Sequence, residues 1–182
     1  MVRRRPVRPA RKRVFIGTEG RSEAAFAAFL QDLCNEHDRH LHLDIYIGSG
    51  GAPISIFKES SKRRKIGRGD GTYVASLCVM DRHEFDRDAR RQEIQNLANR
   101  EGPYLILLAP NFEGLLVRLF AGNETRQISA AIAQTELRKL WPDYQKPPLA
   151  KELKERFSLA DLRRAALHDE DLDRLLRVVR LS

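Results

Sequence analysis

The chain has 182 residues, 42% of them hydrophobic, which suits one compact domain, and no apolar run approaches the roughly 20 residues that cross a bilayer. An integral membrane protein is therefore excluded, and with no apolar h-region following the basic start, no secretory signal is expected, so the cytoplasm is the expected location. The net charge of +8 is local: residues 1–13 hold seven Arg or Lys and no acid, leaving 26 basic against 25 acidic residues in the remainder.

That start, from Arg3 to Arg13, is too charged and proline-punctuated to fold alone and predicts a disordered basic arm over 1–13. Such an arm either neutralises nucleic-acid phosphates, through Arg11, Lys12, Arg13 and their neighbours, or serves as a solubilising or protein-docking extension. Next, Val14-Phe15-Ile16 closed by Gly17 reads as a buried strand entering a tight turn that carries Glu19. Ser22 can cap the helix that follows, whose apolar positions Ala25, Phe26, Phe29, Leu30 and Leu33 fall at helical spacing.

Leu41 to Ile47 alternates strictly and predicts a half-exposed strand near a sheet edge. Gly48-Ser49-Gly50-Gly51 then lacks the Gly-Lys-Ser/Thr ending of a P-loop and reads mainly as a strand-to-helix turn. The helix after Pro53 ends in a second basic cluster, Lys62, Arg63, Arg64, Lys65 and Arg68, which is either a solvated helix end or a contact for a substrate backbone. A strand over Tyr73–Met80 runs into Asp81-Arg82-His83-Glu84-Phe85-Asp86, and a helix is predicted from about 86 to 100.

Tyr104 to Leu108 is an uninterrupted apolar strand, followed by a turn at Pro110-Asn111 and a buried helix over 112–120 that contains Glu113. These alternations predict four mainly parallel strands covered by helices, an α/β domain over 14–122. Residues 123–182 predict a helical extension packed on that domain, with Ser158 and Asp169 as caps. Cys34 and Cys78 suit reduced, buried thiols, and Cys34 with His37, His40 and His42 lacks the spacing of a zinc site.

If the first and third strands are parallel neighbours, Glu19 and the Asp81 group meet at the carboxyl edge of the sheet, where open α/β sheets place ligands. Converging carboxylates are what a divalent-metal site for phosphate chemistry needs. Glu23, in the first turn of its helix, either joins that site or favours the helix dipole. Glu113, inside an apolar helix, needs a partner or a site.

Thr18-Glu19-Gly20-Arg21-Ser22-Glu23, Val79-Met80-Asp81-Arg82, Pro110-Asn111-Phe112-Glu113-Gly114 and Tyr144-Gln145-Lys146, in that order after an Arg-rich arm, resemble the RloB-like family of bacterial defence and restriction-associated proteins. More broadly, Glu-Gly-x-Ser-Glu and Asp-x-His-Glu resemble the Toprim fold of topoisomerases, primases and overcoming-lysogenization-defect nucleases. The resemblance implies a metal-dependent nuclease with Glu19, Glu23 and Asp81 as catalytic groups. It implies Mg²⁺ or Mn²⁺ held by Glu19, Asp81, His83 and Glu84, with Asn111 and Glu113 as further motif residues. It also implies DNA or RNA as substrate and a separately encoded AAA/ABC-type ATPase as partner; Lys146 itself reads either as a phosphate contact or as a solvent-exposed side chain. His83 stands where Toprim enzymes carry a second aspartate: an imidazole suits Mn²⁺ or Zn²⁺ better than Mg²⁺, so His83 is either a ligand or a surface loop histidine, with Glu84 or Asp86 then supplying the missing oxygen. A non-catalytic nucleic-acid-binding or assembly subunit is the competing expectation.

Overall fold

The computed structural model describes residues 11–66 and 72–182. Four parallel strands form one sheet in the order β2-β1-β3-β4, with β1 at Lys12–Thr18, β2 at Leu41–Ile47, β3 at Ala75–Asp81 and β4 at Tyr104–Leu108. Helices α1 (Arg21–Glu36), α2 (Pro53–Ile66), α3 (Arg82–Arg87), α4 (Arg91–Glu101) and α5 (Phe112–Leu119) connect or follow the strands. Helices α6 (Ala130–Leu140), α7 (Ala150–Arg156), α8 (Leu159–Ala166) and α9 (Glu170–Val178) complete the order. None of the described helices is long and apolar enough to cross a membrane.

The strands read as apolar runs because both faces are covered. Val14, Ile16, Leu77, Val79, Ile106 and Leu108 point into a core with Phe26, Phe29, Leu30 and Phe112. Cys78, Met80, Leu105 and Leu107, the alternate positions, point to the other face against Ile56, Phe57 and Ile94. Leu159, Leu162, Leu172, Leu175, Leu176 and Val179, from α8, α9 and the turn after it, share the first of these cores. Ser158 caps α8 through the Asp161 amide, and Asp169 caps α9 through the amides of Asp171 and Leu172.

Several boundaries differ from the sequence expectation. Residues 1–10 of the predicted arm lie outside the described residues, but Lys12 and Arg13 belong to β1, not to an arm, because the ladder to β2 starts at Lys12 opposite Leu41. Ser22 is not the cap of α1; Gly20 is, and Ser22 is buried inside the helix. The helix predicted from 86 to 100 is two helices, since Asp88 takes the amides of Ile54 and Arg90 on its carboxylate and breaks the run. Cys34 and Cys78 are free and buried.

Gly17 is not a turn glycine but a mid-strand residue paired with Tyr46 and Cys78. A Cβ there would lie 2.2 Å from Oγ and 2.6 Å from Cβ of the fully buried Ser60, so the missing side chain lets α2 seat on β1. Gly17→Ala is expected to cost about 1–3 kcal/mol by overpacking. Urea unfolding checks this: Ser60→Gly in the same chain should recover part of the loss, and an unaltered midpoint for Gly17→Ala alone would refute the close-approach account.

Candidate active site

β1 and β3 are adjacent and parallel, so their carboxyl ends stand side by side. The Glu19 amide extends the ladder by donating to Val79 O at 3.1 Å, and the Glu19 Oε2 accepts the Asp81 amide at 3.1 Å. Two carboxylates 62 positions apart are thereby joined at one edge of the sheet. Asp81 Oδ1 in turn accepts the Phe112 amide at 2.7 Å, at the start of α5. Asn111 caps the same helix, its Oδ1 accepting the Gly114 amide at 3.0 Å, so its role here is to aim α5 at Asp81.

Glu23 stands in the first turn of α1 and accepts the Gly20 amide at 2.9 Å. It closes the helix start through this contact, and its carboxyl lies close enough to Glu19 and Asp81 to interact with their charges. The Glu23 carboxyl is raised by burial and also by the Glu19 charge. Glu19 is likewise raised by burial, against the opposing Asp81 amide, with Glu84 adding and Lys146 subtracting. Asp81 is pushed up to about 7 by burial and by the charges of Glu23 and Glu19, which outweigh the Phe112 amide; Glu113 adds to the same push.

Glu113, only 2% exposed, accepts the Tyr144 hydroxyl at 3.1 Å and pairs with Lys146 Nζ at 2.9 Å. Tyr144 is buried against Trp141, ring centroids 5.3 Å apart, which anchors the segment between α6 and α7. Burial works to lower the Lys146 ammonium, but Glu113, then Asp81 and Glu23, more than offset it and its affinity for the proton rises. Lys146 is thus the cation of a carboxylate cluster formed by Glu19, Glu23, Asp81 and Glu113. The sequence pattern brings Glu19 and Asp81 together, with Glu23 as a candidate member; the Glu113, Tyr144 and Lys146 contact was missed, although a glutamate in an apolar helix signals a hidden partner.

His83 and Glu84 are placed differently. They lie in the first turn of the short α3, half exposed, with His83 Nδ1 3.3 Å from Glu84 Oε1 and no hydrogen bond between either side chain and Glu19 or Asp81. Among the described residues no group of three His, Cys, Asp or Glu side chains is arranged to hold a metal ion. The carboxylates converge without forming a finished coordination shell, and the four-ligand set expected from sequence is not assembled.

The basic cluster is also elsewhere. In a parallel sheet α2 runs from the carboxyl end of β2 back to the amino end of β3, so Lys62, Arg63, Arg64 and Lys65 sit roughly 13–18 Å along its axis from the edge that carries Glu19. Arg63 lies over the Tyr46 ring, Arg64 donates to Glu101 O at 2.9 Å, and Lys65 pairs with Glu101 at 3.4 Å. Arg13 pairs with Asp44 and stacks on Tyr73, whereas Arg11 is exposed, bonded to Asn35 at 3.0 Å. Arg68 lies outside the described residues. Arg13, Arg64 and Lys65 therefore lie toward the amino ends of the strands, away from the carboxylates at the carboxyl ends, whereas Arg63 reaches back over Tyr46 near the carboxyl end of β2.

Compared with known proteins, the chain matches no family model, no curated protein and no solved structure.

Proposed function

We propose that the chain is a Toprim-like protein of the RloB-like type that hydrolyses phosphodiesters of DNA or RNA with Mg²⁺ or Mn²⁺. In this reading it is a nuclease or nucleic-acid-processing component of a bacterial defence system and works with a separately encoded AAA/ABC-type ATPase. The observation that supports this is the meeting of Glu19 and Asp81 at the tips of adjacent parallel strands, with Glu23 close enough to raise the Asp81 carboxyl.

The chemistry of the donors, hard oxygens that repel one another in a half-buried site, suits a divalent cation, but Glu19, Glu23 and Asp81 form no preformed shell, so an ion would have to draw its ligands together. Glu19 and Asp81 would hold the ion, which would supply charge neutralisation at the phosphoryl group and a more acidic water. The chain's own groups do the rest. Glu19 has one oxygen fixed by the Asp81 amide, leaving Oε1 to take a proton from an attacking water, a task its raised proton affinity suits. Lys146, held on Glu113, offers positive charge to a phosphate oxygen beside the cluster. The helical segments after residue 122 thereby contribute to the site as well as to the core.

One observation favours a second reading, a non-catalytic nucleic-acid-binding or assembly subunit: Lys146 already offsets part of the cluster's charge, and His83 is turned to Glu84. Labelled DNA and RNA incubated with Mg²⁺ or Mn²⁺ separate the two. The wild type is expected to cleave, and Glu19→Gln or Asp81→Asn to lose at least about a hundredfold in rate. Equal cleavage by wild type and variants would remove the site from the chemistry. Binding without cleavage under either metal would establish the subunit reading.

A further inference from the structure

A cavity of about 460 Å³ lies along β4, outside the carboxylate cluster and sharing no residue with it. It reaches from Arg82, next to Asp81 at the carboxyl end of the sheet, to Tyr104 at the amino end of β4, walled by α4 on one side and the start of α9 on the other. β4 is the last strand of the sheet, and its five residues make the groove roughly 17 Å long.

The lining has a definite chemistry. Tyr104 is 60% exposed and, with the imidazole of His168, supplies the aromatic rings of the groove. Gln95 and Asn99 stand one turn apart on α4 and hydrogen-bond to each other at 3.2 Å, which puts two amide groups on one side. Arg82 and Arg174 share Asp171 and are each about half exposed. Arg118, paired with Asp169 at 2.6 Å, keeps a buried Nε without a hydrogen-bond partner. An aromatic face for stacking, amides for base edges and guanidinium groups for phosphates are what single-stranded nucleic acid requires.

A peptide strand adding to the edge of β4 fits less well, because the start of α9, with the Asp171 carboxylate set beside the Leu107 backbone, already covers that edge. Asp169, Glu170 and Asp171 also offset the three arginines, so the groove is close to neutral. Stacking therefore outweighs charge in it, in contrast to the arginine-rich residues 1–13.

We infer that the groove along β4 binds single-stranded nucleic acid, with Tyr104 stacking a base, Gln95 and Asn99 meeting base edges, and Arg174 and Arg82 contacting the backbone toward Asp81. This rests on nucleic acid being the substrate class proposed above, but not on cleavage.

Fluorescence anisotropy with a labelled oligothymidylate and a duplex of equal length, in EDTA, tests it on the full chain. Tyr104→Ala is expected to weaken single-strand binding about tenfold, leave duplex binding unchanged, and leave thermal unfolding unchanged because the side chain is exposed. Arg174→Ala is expected to lower the slope of log affinity against log salt by about 0.7. Wild-type affinity in both variants, with binding abolished by deleting residues 1–10, overturns the groove while leaving the nuclease reading intact. No binding of either oligonucleotide by the wild type overturns both, and Mn²⁺ titration followed by electron paramagnetic resonance then decides independently whether the carboxylate cluster takes a metal.

Discussion

Asp81→Asn is expected to stabilise the protein at pH 7.5 by about 2 kcal/mol, raising its melting temperature by roughly 4–8 °C, while abolishing metal-dependent cleavage. The Asp81 carboxyl is held up to about 7 by burial and by Glu23 and Glu19, whereas an unfolded chain releases that proton near about 3.9. Between these values the folded protein binds more protons than the unfolded one, so stability falls as pH rises. The decline begins near pH 4 and is complete just above pH 7. A full shift of this size corresponds to about 4 kcal/mol, and about half is expected to be recovered because asparagine is itself desolvated there.

The asparagine oxygen can still accept the Phe112 amide, so the start of α5 is preserved and the substitution removes charge alone. Thermal unfolding in EDTA at pH 5 and pH 7.5 makes the check: the wild type should lose more stability across that interval than the variant, which keeps only the contributions of the raised Glu19 and Glu23 carboxyls. Added Mn²⁺ should raise the melting temperature of the wild type more than that of the variant, since binding to the folded state alone stabilises it. A variant less stable than wild type at pH 7.5, with the same pH slope, would show that the Asp81 charge is not under strain. Gain of stability with loss of chemistry is the pattern expected where repelling carboxylates are held together for function.

What the sequence made legible follows from the range of the interactions involved. Tyr104–Leu108 was readable to the residue because a strand buried on both faces needs an unbroken apolar run, and the meeting of Glu19 with Asp81 followed from strand order alone. Gly17 was misread because a glycine that admits a neighbouring helix and one that turns the chain look alike until Ser60 is known to sit above it. The break between α3 and α4 rests on Asp88 taking the Arg90 amide locally and the Ile54 amide across 34 positions, and only the first of these contacts is within reach of a local pattern. For Lys62 to Lys65 the choice between a solvated helix end and a substrate contact stayed open, because the charge pattern of a helix end does not encode that α2 runs antiparallel to the strands, away from the edge that carries Glu19. Tyr144 and Lys146 reach Glu113 from a proline-rich break, where periodicity gives no direction to a side chain.

Glu113 makes the strongest structural claim on that last contact. Glu113→Ala is expected to destabilise the protein by about 3 kcal/mol in urea unfolding, toward the lower end of what breaking a buried pair costs because Lys146 is half exposed. The loss has two sources: the Tyr144 hydroxyl is left buried with no acceptor, and the Lys146 ammonium loses its nearest carboxylate. Glu113→Gln keeps an acceptor for Tyr144 and should cost only about 1 kcal/mol; Tyr144→Phe, which leaves the Glu113 and Lys146 pair intact, should cost a similar amount. Lys146→Met added to Glu113→Ala should cost less than the two single changes summed, because the pair acts as a unit. If the two changes add, the pair is incidental and the segment between α6 and α7 is held by Trp141 and Tyr144 packing alone. If they couple by the expected 1 kcal/mol or more, the ion pair is what fixes a cation beside Glu19, Glu23 and Asp81, and the stability of the helical half of the chain is set at the same contact that shapes the site.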